Sequence, residues 1–338
     1  MDDFCFSDTD YFSSTRSLPS FEGVGFLDNR LDRDTEHRTE TCLDDNLAHK
    51  QAGLYLLSGD TLLLKETETG GRHQAIFSLE DAKALGADLD CAILLGTDPA
   101  EADAPRLAAP LTEDAVTRLE GEKGQASLEL MSIRHVGLNG LLPPDQLGAV
   151  AQARSLLTWH ANHVYCANCG SKTVVSLGGA RRDCPSCSAM HFPRTDPAVI
   201  MLVLHRDEEG VERCLLAHHT RFSGPMYTTL AGYLEQGETI EAAVRREVFE
   251  ESAIRVGAVR YMASQPWPFP SSLMIGCYAE ALSTEITVDP TELTDARWFT
   301  RQDVRTLMSR HVGAEEPHIP GRFSIAAWLI GGWVEMGD

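Results

Sequence analysis

The sequence predicts an α/β protein built in parts: an N-terminal α+β region, a small cysteine-tied ribbon and a larger mixed α/β domain. Three observations predict it. Short apolar runs bounded by Gly, Asp or Thr begin at Gly53 and read as strands and hairpins. Four of the nine cysteines fall as Cys166-x2-Cys169-x14-Cys184-x2-Cys187. From Pro193 onward, strand-like runs surround a glycine-rich loop and a helix rich in glutamate. Expected boundaries are a partly mobile segment over 1–50, an N-terminal domain over 51–160, the ribbon over 161–192 and the α/β domain over 193–338.

A chain of 338 residues suffices for two or three domains. Its formal charge of −21 argues against a general nucleic-acid or membrane-surface binder. An anionic ligand must then be met by local basic groups or by metal. No apolar run reaches transmembrane length, so no membrane partner is expected. The start lacks the basic and apolar regions of a signal peptide, and a cytoplasmic location is the expectation. Cys5, Cys42, Cys91, Cys214 and Cys277 follow no disulfide spacing and read as reduced thiols.

Residues 1–50 are polar and acidic, and the first dozen are expected to be mobile. Strands are expected at 53–59, 61–66, 74–79 and 91–97, and a loop at 100–110. Leu141-Leu142-Pro143-Pro144 opens a new segment. The helix expected from Asp145 to His163 carries Leu147, Val150, Ala151, Arg154, Leu157 and Ala161 on one face. In the ribbon, two short knuckles let Cys166, Cys169, Cys184 and Cys187 converge on one Zn²⁺. Four protein ligands leave no open position, so that zinc is structural. His160, His163 and His191 read as ordinary histidines beside it. Arg181 and Arg182 read as a solvated turn or as phosphate contacts.

Beyond Pro193, strands are expected at 198–206, 214–220, 256–265 and 272–282, with a closing helix over 324–334. The helix after Gly232 places Glu247, Glu250 and Glu251 within one turn. At about 100° per residue, positions i, i+3 and i+4 share a face. Three carboxylates there repel each other unless a hard divalent cation, Mg²⁺ or Mn²⁺, neutralises them. The alternative is a solvated acidic face.

This stretch resembles the Nudix box, G-x5-E-x7-R-E-U-x-E-E-x-G-U, where U is bulky and apolar. Gly232, Glu238, Arg246, Glu247, Val248, Glu250, Glu251 and Ile254 match at the required spacings. Ala253 departs from it, standing where the pattern has glycine. A left-handed residue there costs alanine roughly 1 kcal/mol more than glycine. The expectation is that Ala253 bears that strain, and that Glu238 and Arg246 form a charge pair fixing the box loop.

Downstream lies Ser264-Gln265-Pro266-Trp267-Pro268-Phe269-Pro270-Ser271-Ser272. Three prolines between two aromatics predict a stiff extended segment. The rings either plug the core or present themselves to a ligand. The segment matches SQPWPFPxS, and with the four-cysteine ribbon it makes the chain resemble the NADH pyrophosphatase branch of the Nudix hydrolases. The resemblance implies an α/β/α sandwich around a mixed sheet. It implies Mg²⁺ or Mn²⁺ on Glu247, Glu250 and Glu251, joined by Glu292. It further implies that Phe192, Ala231, Gln265 through Ser272, Glu292 and Ala326 line the substrate site. The implied reaction is hydrolysis of the pyrophosphate bond of NADH or NAD⁺ to AMP and nicotinamide mononucleotide, with NAD-capped RNA as a further substrate and a homodimer as the assembly. The alternatives are a hydrolase of dinucleoside polyphosphates or ADP-sugar, and a zinc-ribbon regulator that binds nucleotide or RNA.

Overall fold

The computed structural model describes residues 21–67, 73–121, 127–311 and 313–336. Cys5 and the expected mobile dozen lie outside the described residues. The chain packs as two compact units. One holds Gly25–Thr195 and Pro266–Ser272; the other holds Asp196–Gln265 with the described residues before Gly25 and after Ser272.

The first unit opens with α1 (Cys42–Leu47), β1 (Gly53–Ser58), β2 (Thr61–Glu66), β3 (His73–Gln74), β4 (Ile76–Ser78) and α2 (Leu79–Leu85). There follow β5 (Ile93–Asp98), β6 (Ala104–Pro110), α3 (Glu113–Gly121), β7 (Leu128–Ser132), α4 (Ile133–Leu138) and α5 (Pro144–Asn162). The strands form one mixed sheet in the order β3-β2-β1-β6-β5, with β4 also on β1 and β7 on β2. Leu54, Leu56, Leu63, Phe77, Leu94 and Leu107 fill its core.

Three expectations change here. Residues 100–110 are not a loop: β6 runs through most of them, parallel to β1 and antiparallel to β5. Its prolines suggested a loop, but Pro105 lies beyond the β1 ladder and Pro110 ends the strand. Helix α5 is present as expected, yet Leu157 is only half-buried and Ala161 is exposed; Trp159 and His160 are buried instead. Helices α2 and α3 occur where the sequence pattern predicts only a strand or no element. Ser78 caps α2 by accepting from Asp81 N, a local signal that the apolar pattern obscured.

The ribbon is a three-stranded sheet of β8 (Val174–Ser176), β9 (Arg181–Asp183) and β10 (Met190–His191). Arg182 is neither a solvated turn nor free for phosphate. It is buried, and it donates to Thr173 Oγ1 at 2.7 Å and to the Thr173 carbonyl at 3.2 Å. Arg181 pairs with Asp183 at 2.9 Å.

The second unit comprises β11 (Asp196–Arg206), β12 (Glu212–His219), β13 (Leu230–Tyr233), α6 (Ile240–Ser252), β14 (Val256–Trp267), β15 (Ser272–Ala281), β16 (Leu293–Thr300), α7 (Arg301–Met308) and α8 (Ile325–Glu335). Its sheet runs β14-β15-β11-β12-β16, with β13 also on β11. Val199, Met201 and Val203 pack with Val244 and Val248 of α6. Tyr278 of β15 donates its hydroxyl to the Leu329 carbonyl of α8 at 2.8 Å. Helices on the sheet give the expected sandwich. The segment 264–272 is not extended throughout: β14 reaches Trp267, and a turn leads into β15. Prolines suit a turn between strands because they need no ladder donor there.

Candidate active site

Helix α6 is capped by Thr239, whose hydroxyl accepts from Ala242 N at 3.2 Å. Ala243, Val244 and Val248 bury one face against the sheet, and Glu251, one turn beyond Val248, follows them inward. Glu251 is 2% exposed, and neither carboxylate oxygen has a hydrogen-bond donor. Burial first, then the Glu292 and Glu247 carboxylates, push its pKa up to about 8. A buried carboxylate without a donor is costly. A hard divalent cation would remove that cost, so the residues present suit one.

The box loop is fixed as expected. Arg246 donates from Nε to Glu238 Oε1 and from Nη2 to Glu238 Oε2, both at 2.9 Å, and from Nη2 to the Tyr233 carbonyl at 2.8 Å. This guanidinium holds Glu238 below the usual carboxylate range. Arg246 also reaches Glu247 at 2.7 Å and Glu250 at 3.1 Å. Burial nonetheless pushes Glu247 up. Glu250 is the exposed member of the three. Among the described residues, the cysteine quartet is the group of three or more candidate ligands that converges within 4.8 Å.

Gly232, on β13, lies against Glu247: a Cβ there would fall 1.8 Å from its Cδ. Ala253 ends α6 at φ 60°, ψ 9°, with its N–H on the Phe249 carbonyl at 2.8 Å. It therefore bears the left-handed strain expected from the sequence.

The other predicted residues distribute as follows. Ala231 lies on β13 opposite Ile200, and Glu292 is exposed in the turn before β16. Gln265 is 1% exposed; its Nε2 donates to the Phe323 carbonyl at 2.9 Å and its Oε1 accepts from Ile325 N at 2.8 Å. It thus anchors the start of α8, where Ala326 is buried. In the first unit, Phe192 is 60% exposed just after β10. Also there, Trp267 and Phe269 meet edge-to-face at 5.4 Å and both pack on buried Phe26. Pro270 offers its carbonyl to Arg154 and Ser155, each at 3.1 Å. Pro268 and Ser272 are buried, and Pro266 is exposed.

Sequence reasoning missed Arg134. Its exposed guanidinium lies 5.3 Å from the Trp267 ring centroid and 4.9 Å from that of Phe269. A lone arginine in a short helix carries no motif that would have found it.

In the ribbon, Cys166 and Cys187 sulfurs are 3.7 Å apart and Cys169 and Cys184 sulfurs 3.5 Å. Zn–S bonds of about 2.3 Å give tetrahedral edges of about 3.8 Å, so the quartet suits a structural zinc. His191, expected to be a bystander, places Nε2 3.2 Å from Cys166 Sγ, a contact that would orient this thiolate toward a zinc ion.

Family models match three successive stretches: a NADH pyrophosphatase-like rudimentary NUDIX domain at residues 51–159, a NADH pyrophosphatase zinc ribbon domain at 161–192 and a NUDIX domain at 194–328. The chain is 48% identical over 204 residues to the NAD-capped RNA hydrolase NUDT12 of Homo sapiens, covering 58% of this chain and 43% of that one. It is 37% identical over 203 residues to the NAD-capped RNA hydrolase NudC of Deinococcus radiodurans, covering 60% and 68%. It is 39% identical over 196 residues to the mitochondrial NAD(P)H pyrophosphatase NUDT13 of Homo sapiens, covering 55% and 54%. The match spans less than half the length of NUDT12. With the box, the cysteine quartet and the SQPWPFPSS segment in place, the chain belongs to the NADH pyrophosphatase branch of the Nudix hydrolases.

Proposed function

We propose that this protein hydrolyses the pyrophosphate bond of NADH and NAD⁺ to AMP and nicotinamide mononucleotide, and removes NAD caps from RNA 5′ ends. The observation that carries this reading is Glu251, a buried carboxylate without a donor on the box helix, set near the Glu247 and Glu292 carboxylates. Glu247, Glu251 and Glu292, with Glu250 at the rim, are the proposed ligands of Mg²⁺ or Mn²⁺. When bound, the cation neutralises the diphosphate and polarises phosphorus. Arg246 holds Glu238 and steers Glu247, so the loop and the helix keep one register. Water attacks directly, with no side chain bonded covalently to substrate. Phe192 and Trp267 in the first unit, and Ala231, Gln265 and Ala326 in the second, are each proposed substrate contacts on the family resemblance alone.

The names of the relatives support this substrate class. We further propose a homodimer, tested by light scattering, and a cytoplasmic location, tested by fractionation. The eight described cysteines are all free of disulfides, as in a reducing compartment. Among the described residues no helix is long and apolar enough to cross a membrane.

The deciding experiment is a panel of NADH, NAD⁺, NAD-capped RNA, a dinucleoside polyphosphate and ADP-ribose, with Mg²⁺ or Mn²⁺, reading products by chromatography. AMP release from NADH or NAD-capped RNA is expected to dominate. Preference for the polyphosphate or ADP-ribose would overturn the substrate assignment, and no turnover of any would overturn the enzymatic one.

A further inference from the structure

His219 is a buried group that the box does not include. It is 3% exposed at the end of β12, and Nε2 has no hydrogen-bond partner. The Thr229 backbone accepts from its ring, so that bond falls to Nδ1. An imidazole held this way presents a lone pair at Nε2. Phe222 packs edge-on against the ring at 5.6 Å and fixes its plane.

The register places this lone pair. The β12–β16 ladder shifts between His218 and His219, so His219 stands opposite Leu293, with Thr294 skipped. Opposed residues on paired strands share a face. Leu293, like Ala217 two residues before His219, belongs to the core formed with Val244 and Val248 of α6. The ring therefore enters the layer between sheet and α6, the layer into which Glu251 turns. The bulge also holds the next residue, Thr220, whose N–H donates to the Glu292 carbonyl at 2.9 Å. Bulges commonly re-aim a side chain beside an active site. Two buried sets of unpartnered polar atoms, His219 Nε2 and the Glu251 carboxylate oxygens, thus lie on one side of one sheet. Burial lowers the ring's pKa to about 4, which keeps it neutral.

We infer that His219 is a further residue of the hydrolytic centre, its Nε2 accepting a hydrogen bond from the attacking water and orienting it on phosphorus. The inference rests on the hydrolysis proposed above. Water's oxygen forms the new P–O bond as the bridging P–O bond breaks. The bridging oxygen leaves with its electron pair on the other mononucleotide, and water's protons pass to the product phosphates or to solvent. His219 directs one of those protons and does not retain it.

The test compares His219→Asn and His219→Gln with the wild-type full chain on NADH and Mn²⁺. Asn reproduces the Nδ1 bond to Thr229 and lacks a nitrogen at Nε2; Gln places its amide near Nε2. Expected for Asn is a kcat lowered roughly 100-fold, the lower range for a group placed on a moving proton. KM, the thermal midpoint and Mn²⁺ affinity read by electron paramagnetic resonance should stay near wild type, and Gln should recover part of kcat. An Asn variant with wild-type kcat would reduce His219 to a core histidine tied to Thr229. A loss confined to KM or Mn²⁺ affinity would equally overturn the inference. Should Asn fail to fold, a Gln variant with kcat no better than His219→Leu overturns it. A wild-type chain inert on NADH and on NAD-capped RNA removes the proposed function itself, and the inference with it.

Discussion

The carboxylate of Glu247 occupies the space that a side chain at Gly232 would need. A Cβ on Gly232 would lie 1.8 Å from Glu247 Cδ and 2.1 Å from each oxygen. The box glycine is therefore a steric requirement of a proposed ligand, imposed across a strand and a helix. Gly232→Ala should move the Glu247 carboxylate by an ångström or so and lower kcat roughly 100-fold, as misplaced catalytic groups do. Circular dichroism should remain native. Unchanged turnover would mean that Glu247 is not a working ligand in this pose.

Glu251→Gln should separate function from stability. The change keeps shape and removes an acidic group whose ionised form burial and two carboxylates disfavour. Turnover should fall by at least about 100-fold, as when a charge-stabilising group is removed. The metal-free protein should be at least as stable as wild type in urea, since no native partner of that charge is lost. A destabilised variant would mean that Glu251 holds the fold through a contact of its own.

Ala253→Gly should relieve the strain at φ 60°. Glycine is expected to add up to about 1 kcal/mol of stability, less the extra freedom it gives the unfolded chain. Turnover should be unaffected, because the backbone is already in the form that glycine prefers. A lower midpoint in urea would show that unfolded-state entropy outweighs the strain.

Phe269 should act more through stability than through substrate. Its ring centroid lies 4.9 Å from the Arg134 guanidinium and 5.2 Å from that of Arg154, and it meets Phe26 and Trp267 edge-on. Phe269→Ala is expected to cost about 2–3 kcal/mol in urea unfolding, at or below the lower limit for a core aromatic because this ring is only half-buried. A fully stable variant with weakened NADH binding would instead make this ring a free substrate platform.

Acid should weaken the first unit through His160. Burial, and then the neighbouring Arg182 charge, lower its pKa to about 4, although the Gly179 carbonyl at 2.9 Å opposes the shift. Above pH 6.5 the ring is neutral in folded and unfolded chains, and its titration adds nothing. As pH falls from about 6.5 to 4, only the unfolded chain takes up the proton, and roughly 3 kcal/mol of stability is lost. His219 shifts in the same direction. His160→Gln should flatten the acid slope of the thermal midpoint; an unchanged slope would place the loss elsewhere.

Local rules carried much of this structure. Strands β1, β2, β5, β11, β12 and β15 and helices α5, α6 and α8 follow runs whose periodicity is visible in the chain. Strand β6 was hidden because its neighbours β1 and β5 make it a strand, while its own prolines suggest a loop. Arg182 looked like a surface turn because two adjacent arginines say nothing about which face of the ribbon is covered. On β9 alternate side chains point oppositely, so Arg181 is only half-buried while Arg182 is buried.

The sequence by itself determined the cysteine quartet, the box carboxylates, the Arg246–Glu238 pair and the strained end at Ala253. Each depends on spacing within one knuckle pair or one helix, where chain geometry leaves few choices. Tertiary structure decided what those side chains meet. It set Gly232 beneath Glu247, spent the Gln265 amide on α8, put Arg134 over Trp267 and Phe269, and turned His219 toward the layer holding Glu251. These relationships join residues distant in the chain through strand register and packing, which no local period encodes.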